Sequence, residues 1–193
     1  MGGDPNQNKV MVTHPEFTVA FRLDTLQPTV ERAGVIPYVK AKGKIYFLLA
    51  QDTKTKELGD FGGGRKKDET PLYAAFREWC EESRGMFDGT QISLDFQKMY
   101  YSPMIYHPEQ KCGIIFVKVP EEWKDIAVDE FNSKIPTSPE MREVSAVRWV
   151  SAQNMIKLIK KEKKGMWRKI REILGSIDAD RFIRGISLVA KEE

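Results

Sequence analysis

The sequence predicts one mixed domain of the α/β or α+β class, built on a mixed β-sheet. Short strand-like segments alternate with stretches of helical periodicity, and two of the strands are joined by a short turn into a hairpin or meander. Hydrophobic residues make up 41% of the 193-residue chain, enough for a packed core.

The longest apolar run, Ile45 to Ala50, is far short of the roughly 20 residues needed to span a bilayer, so no membrane helix is expected. Met1 to Asn8 is polar and carries Asp4 and Pro5, which does not suit a secretory signal. Asn6 does not suit a myristoylation motif. The two cysteines, Cys80 and Cys112, make neither a disulfide framework nor a zinc site. A cytoplasmic protein with reduced thiols is the expectation.

Residues 1–30 are polar and broken by Pro5, Pro15 and Pro28. They read as a lead-in to a domain over 31–193, with a short strand at Phe17 to Phe21. Ala33 to Val39 reads as a strand, Ala41 to Lys44 as a turn, and Lys44 to Gln51 as a second, more buried strand. A helix is expected over Pro71 to Arg84. Thr70 is its N-cap candidate, Leu72, Ala75, Phe76 and Trp79 form one apolar face, and Gly85 ends it. Beyond it, Ile92 to Met104 and Gly113 to Val119 read as strands, with a turn at His107 to Gln110. The acidic, proline-punctuated Pro120 to Arg142 reads as a loop insertion. Val144 to Val150 reads as a last strand, and Ser151 to Gly175 as a basic helical stretch interrupted at Gly165. Asp178 to Ala190 reads as a short helix or turn. His14 and His107 read as loop surface, and Tyr100, Tyr101 and Tyr106 as core.

The helix expected over Pro71 to Arg84 has a second face, carrying Arg77, Glu78, Glu81 and Glu82. Like charges at helical spacing repel by a few tenths of a kcal/mol per exposed pair, and a helix needing only solubility would alternate signs. Oxygen ligands at this spacing suit Mg²⁺ or Mn²⁺ with substrate phosphates. The upstream run Gly62-Gly63-Gly64 lets backbone approach a ligand closely.

Gly63, Glu69 and Arg77-Glu78-Trp79-Cys80-Glu81-Glu82 stand in the order and spacing G-x5-E-x7-R-E-U-x-E-E, where U is a bulky apolar residue. The segment Gly63 to Met86 thereby resembles the Nudix hydrolase signature. Two positions depart from it. Arg84 stands where the family has glycine, so the helix is expected to run one residue longer, to Gly85; and Gly62 stands where many members place proline. The resemblance implies a mixed β-sheet sandwiched between helices. It implies a pyrophosphohydrolase that cleaves a nucleoside diphosphate linked to another moiety, with Mg²⁺ or Mn²⁺ as cofactor. By position, Glu78, Glu81, Glu82 and the Gly63 carbonyl would hold metal, and Arg77 would pair with Glu69. The water-activating base would be Glu81 or Glu82, or else Glu140 or Glu143 from a later loop.

The substrate is less constrained. The net charge of +3 conceals a C-terminal concentration, since eight Lys/Arg against the single Glu162 lie between Lys157 and Arg171. Clustered cations of this kind form an electrostatic footprint for RNA phosphates, or simply the solvated face of helices packed on the sheet. Arg65, Lys66 and Lys67, with Lys157, Lys160, Lys161, Lys164 and Arg168, are the candidate substrate-binding residues. Resemblance of the glycine loop and the helix end to viral members ranks the m7G cap of RNA, and hence mRNA decapping, first. Diphosphoinositol polyphosphates, dinucleoside polyphosphates and nucleotide sugars follow. A non-catalytic RNA-binding module on the same fold is the alternative of another class.

Overall fold

The structure, a computed structural model, describes residues 11–13, 30–87, 98–99, 102–107, 109–160, 165–175 and 186. Eight strands form one sheet: β1 (Met11–Thr13), β2 (Arg32–Ala41), β3 (Lys44–Asp52), β4 (Leu58–Gly59), β5 (Phe61–Gly64), β6 (Met104–His107), β7 (Cys112–Lys118) and β8 (Val144–Ser151). The helices are α1 (Pro71–Glu82), α2 (Trp123–Ser133), α3 (Ala152–Lys160) and α4 (Arg168–Gly175).

The hairpin between β2 and β3 turns on Lys42 and Gly43, both at positive φ (49° and 74°), with Ala41 paired to Lys44. Two successive left-handed residues make the turn whose twist matches that of the strands. β2 runs parallel to β7 along one edge. Its other edge takes β5 along Arg32 to Val35 and β3 along Tyr38 to Ala41. β3 then leaves β2 to pair with β4 and β8. The glycine-rich β5 thus fills the first half of an edge that β3 occupies in its second half, and the chain leaves β5 for α1.

Two-residue alternation assigns the core to two faces. Val35, Val39, Leu48, Ile115 and Val117 belong to one cluster, and Ile36, Tyr38, Phe47, Ile114 and Phe116 to the other. Leu72, Ala75 and Trp79 of α1, with Ala127 and Phe131 of α2, cover the first. Met155 and Ile159 of α3 and Ile170, Ile173 and Leu174 of α4 cover the second. The result is the expected mixed sheet between helical layers.

Four local expectations change. The segment read as a loop insertion contains α2, because Trp123, Ala127 and Phe131 recur every four residues and meet the core, a stripe masked by the surrounding acids. Of the strand expected over Ile92 to Met104, residues 92–97, 100 and 101 lie outside the described residues, Lys98 and Met99 are helical, and the strand seen runs from Met104 to His107. His107 is therefore a buried strand end whose Nδ1 accepts the Gln110 N–H at 3.2 Å, not loop surface. Finally, α1 does not run on to a glycine at 85. It ends at Glu82, and Arg84 itself takes the left-handed conformation (φ 57°). The Arg84 N–H reaches Glu81 O at 3.0 Å and the Gly85 N–H reaches Cys80 O at 2.8 Å, the pairing of a Schellman motif with arginine at C′. A side chain there costs about 1 kcal/mol relative to glycine. Tyr106 is buried, as expected, whereas His14, Tyr100, Tyr101, Phe17 to Phe21 and most of Asp178 to Ala190 lie outside the described residues.

A buried ion pair anchors β5. Arg32 donates to both carboxylate oxygens of Asp60 at 2.7 and 2.8 Å and to Gly62 O at 2.9 Å. Its guanidinium lies 4.8 Å from the centroid of the Trp167 ring. Burial alone would lower the Arg32 pKa, but the facing carboxylate outweighs it and holds the arginine charged. Space for Asp60 exists only because positions 34 and 62 are glycine. A Cβ at Gly34 would fall 2.0 Å from Asp60 Oδ2 and 2.8 Å from two backbone atoms of β5. Gly34→Ala is therefore expected to cost about 3 kcal/mol or more, by overpacking and by displacing one partner of a buried pair. Urea unfolding measures this, and an unchanged midpoint would mean that β2 and β5 do not approach so closely in solution.

Candidate active site

Thr70 caps α1, its hydroxyl accepting the Tyr73 N–H at 3.2 Å, and Pro71 opens the first turn. With Leu72, Ala75 and Trp79 fixed on the sheet, the helix turns Arg77, Glu78 and Glu81 away from the core and Glu82 toward β5. Glu82 is 7% exposed, and its Oε2 accepts the Gly62 N–H at 2.7 Å. Proline at 62 could not donate that bond, so the departure from the family pattern adds a contact to the carboxylate. Glu78 lies against the bare Cα of Gly63, where a Cβ would come within 2.5 Å of its carboxylate carbon.

Arg77 ties the acids together. It grips Glu69 through Nε (2.5 Å) and Nη2 (3.0 Å), reaches Glu78 Oε1 at 2.6 Å and Glu81 Oε2 at 3.0 Å through Nη1, and donates to Gly64 O at 3.1 Å. Glu69 also accepts the Lys66 N–H at 2.9 Å. The Arg77 hydrogen bond holds the Glu69 carboxyl below the usual range.

Glu82 and Glu78 behave in the opposite way. Burial pushes Glu82 well above the usual carboxylate range, and the neighbouring charges of Asp60 and Glu78 push it further, against the Gly62 N–H. Burial also raises Glu78, with Glu81 and Glu143 adding to it and Arg77 opposing. Glu143 follows a 3₁₀ turn, Glu140 to Arg142, packed beside α1. Glu140 is held below the usual range by a backbone N–H and the Ser138 hydroxyl, with Lys66 and Arg77 contributing. The loop residues Glu140 and Glu143 thus share the electrostatic neighbourhood of the signature helix.

Among the described residues, no group of three acidic, histidine or cysteine side chains converges as a preformed metal centre. The donor set nonetheless fits a hard divalent cation. Glu78 and Glu82 are desolvated carboxylates whose mutual repulsion a cation would relieve, and the bare Gly63 Cα keeps the backbone beside Glu78 accessible.

The expected substrate-binding residues scatter. The Arg65 guanidinium is engaged locally, donating to Val30 O at 2.8 Å and Glu69 O at 3.0 Å. Lys66 and Lys67 are exposed between β5 and α1. Lys157 and Lys160 are exposed on α3, and Arg168 on α4 pairs with Glu172 at 2.7 Å. Both helices cover the sheet face opposite α1. Lys161 and Lys164 lie outside the described residues. Arg32 and Asp60 beside the site are absent from the motif reading, and Arg84 entered it only as a departure from the family glycine, with no role for its side chain. An arginine opening an apolar strand and an aspartate before a glycine run were the available signals for Arg32 and Asp60.

A NUDIX domain model matches residues 28–173. The chain belongs to the Nudix family. It is accordingly a hydrolase of pyrophosphate bonds, in a family that acts on nucleotide-containing pyrophosphates and generally uses divalent metal ions. Solved structures with a similar fold include an Ap4A hydrolase from C. elegans, at 18% identity, covering 81% of this chain and 98% of that one with a TM-score of 0.46. A Nudix hydrolase from M. smegmatis matches at 12% identity, 83% and 88% coverage and a TM-score of 0.41. A NUDIX-family hydrolase from Clostridium perfringens matches at 16%, 78% and 96%, with 0.39. No curated protein matches the chain.

The buried carboxylates of this Nudix site have a consequence for stability. Because Glu82 has its folded-state pKa raised above the unfolded value, its stabilising contribution is full below the unfolded carboxylate pKa. It is lost as pH rises through the raised folded value. At neutral pH in chelator, Glu82→Gln should therefore raise Tm by about 2 °C or more, the shift that ~1 kcal/mol gives in a chain of this size. The difference should vanish in acid. A lower Tm for the variant in chelator would show that the ionised carboxylate stabilises the fold.

Proposed function

We propose that this Nudix enzyme hydrolyses a nucleoside diphosphate linked to another group, with Mg²⁺ or Mn²⁺ held by Glu78, Glu81, Glu82 and the Gly63 carbonyl. The observation that carries the proposal is the burial of Glu78 and Glu82 against a strand of glycines, where neither carboxylate has full compensation for its charge. Divalent cations there would neutralise phosphate oxygens and lower the pKa of a coordinated water. Arg77 orients Glu78 and Glu81 while its grip on Glu69 keeps the glycine loop closed on the helix. The Gly62 N–H fixes the rotamer of Glu82.

In the reaction, a water oxygen bonds to phosphorus, the bridging P–O bond breaks, and the water proton passes to a carboxylate. Glu143 suits that acceptor better than Glu140. Its charge reaches Glu78, whereas Glu140 is held below the usual carboxylate range, which weakens Glu140 as a proton acceptor. Glu82→Gln is expected to lower kcat by about 100-fold or more, a loss typical of removing a group that stabilises developing charge. Turnover assays with Mg²⁺ and with Mn²⁺ on a panel of phosphoanhydrides measure it. Near-normal turnover of the variant would remove Glu82 from the site, and failure of the wild-type protein on every phosphoanhydride would favour a binding module.

Capped RNA is a second reading, supported by exposed Lys66 and Lys67 beside the signature helix and exposed Lys157 and Lys160 on α3. Since α3 covers the other face of the sheet, a cap alone would not reach both sets, and a longer RNA passing round the sheet edge would. Release of m7GDP should then be faster from long capped RNA than from free cap analogue. The advantage should fall steeply between about 50 and 200 mM salt. Equal or faster turnover of the analogue would discard the RNA track.

A further inference from the structure

Arg84 occupies the position at which the signature has glycine, and its side chain leaves the helix end for a second element. Its Nη1 donates to Phe131 O at 3.4 Å and Lys134 O at 3.2 Å, and its Nη2 donates to Val144 O at 3.1 Å. The guanidinium carbon lies 4.0 Å from the centroid of the Phe131 ring. Burial lowers the Arg84 pKa, and no neighbouring charge contributes to offset it. Carbonyl oxygens take its Nη1 and Nη2 donors and one aromatic face covers it, while its buried Nε–H has no hydrogen-bond partner among the described residues. Phe131 and Lys134 stand at the C-terminal end of α2, where the helix dipole favours a cation.

The placement of those carbonyls gives the contact its significance. Lys134 begins the connection between α2 and β8, and Val144 begins β8, so a single guanidinium holds both ends of residues 135–143. That connection carries Glu140 and Glu143, whose charges reach Arg77 and Glu78. Arg84 lies two residues beyond Glu82, just past the C-terminal end of the helix that bears the proposed metal ligands. Thr53 provides a second hold on one end only, its N–H donating to Glu143 O at 2.8 Å and its hydroxyl to Arg142 O at 2.6 Å. The Lys134 end has no such support from Thr53.

We infer that Arg84 is a positioning residue of this enzyme: it clamps the 135–143 connection to the end of α1 and so sets Glu143 against the signature carboxylates. The inference rests on Glu143 acting as the base. Arg84 makes these contacts from a left-handed conformation that glycine adopts more easily.

Arg84→Gly separates the two roles, because it relieves the backbone and removes only the clamp. The expected result is an unchanged or higher Tm, a fall in kcat of about tenfold or more from misplacement of the base, and little change in KM. Arg84→Lys, with one donor group in place of the fork, should recover part of kcat. Hydrogen exchange should accelerate in residues 135–143 of Arg84→Gly and stay as in wild type within α1. In a Glu143→Gln background, Arg84→Gly should lower kcat less than twofold further. Wild-type kcat in Arg84→Gly overturns the clamp, as does a full additional loss on top of Glu143→Gln. Failure of the base assignment looks different. Glu143→Gln would then turn over normally, and the proposed consequence of the clamp for catalysis would fall with it even if exchange in 135–143 increased.

Discussion

The site depends on how closely α1 approaches the backbone of β5. Glu78 rests on the Cα of Gly63, where a side chain would displace its carboxylate, and Glu82 accepts the Gly62 N–H, at a position where a side chain would collide with Asp60 and the backbone of β2. The same packing constraint extends into the sheet. Gly62 lies across from Gly34, and Asp60 fills the space that two missing side chains leave between them. An ionised aspartate in such a place needs a partner, which Arg32 provides bidentately while also holding the Gly62 carbonyl. One glycine residue, Gly62, therefore connects two charged systems. Its carbonyl faces Arg32 and its N–H faces Glu82, so the geometry of the buried ion pair is transmitted to the proposed metal ligand.

The acids at the site fall into two groups with different electrostatic environments. Glu69 is closely bound to Arg77 and stays readily ionised, as a structural carboxylate should. Glu78 and Glu82 are desolvated, crowd each other and receive less compensation than their burial demands. A single arginine cannot satisfy Glu69, Glu78 and Glu81 together and also reach Glu82. The surplus negative charge is a cost to the metal-free fold, and it is the property that would attract a divalent cation. Stability is lower here because the groups are arranged for chemistry rather than for packing.

Much of this was legible in the sequence because the motif is a set of local spacings. Helical periodicity places Glu78, Glu81 and Glu82 within one turn of one another, and the five- and seven-residue intervals bring Gly63 and Glu69 to the same helix. Period-two alternation likewise reveals β2, β3, β7 and β8. What escaped was set by tertiary contact. α2 was masked because its buried stripe is only three residues wide in an acidic segment, and the core decides in its favour. The Arg32–Asp60 pair joins residues 28 positions apart that no periodicity relates. Arg84 looked like a one-residue displacement of the terminal glycine, since propensity favours glycine at a left-handed position. The carbonyls that hold its side chain lie 47 to 60 residues further along the chain.

The near-balance of charge in the whole chain is also explained by location. The acids that matter are buried around α1 on one face of the sheet, while the basic residues of α3 and α4 sit on helices whose apolar sides form the core of the other face. Those helices would be needed for packing whatever the substrate, so their lysines carry no direct implication for the reaction. Arg168 illustrates this, being already paired with Glu172 one turn away. The tract contributes to recognition only for a ligand large enough to leave the catalytic face and pass round the sheet. Substrate length, more than substrate charge, is thus the property through which the two faces of this fold can act together.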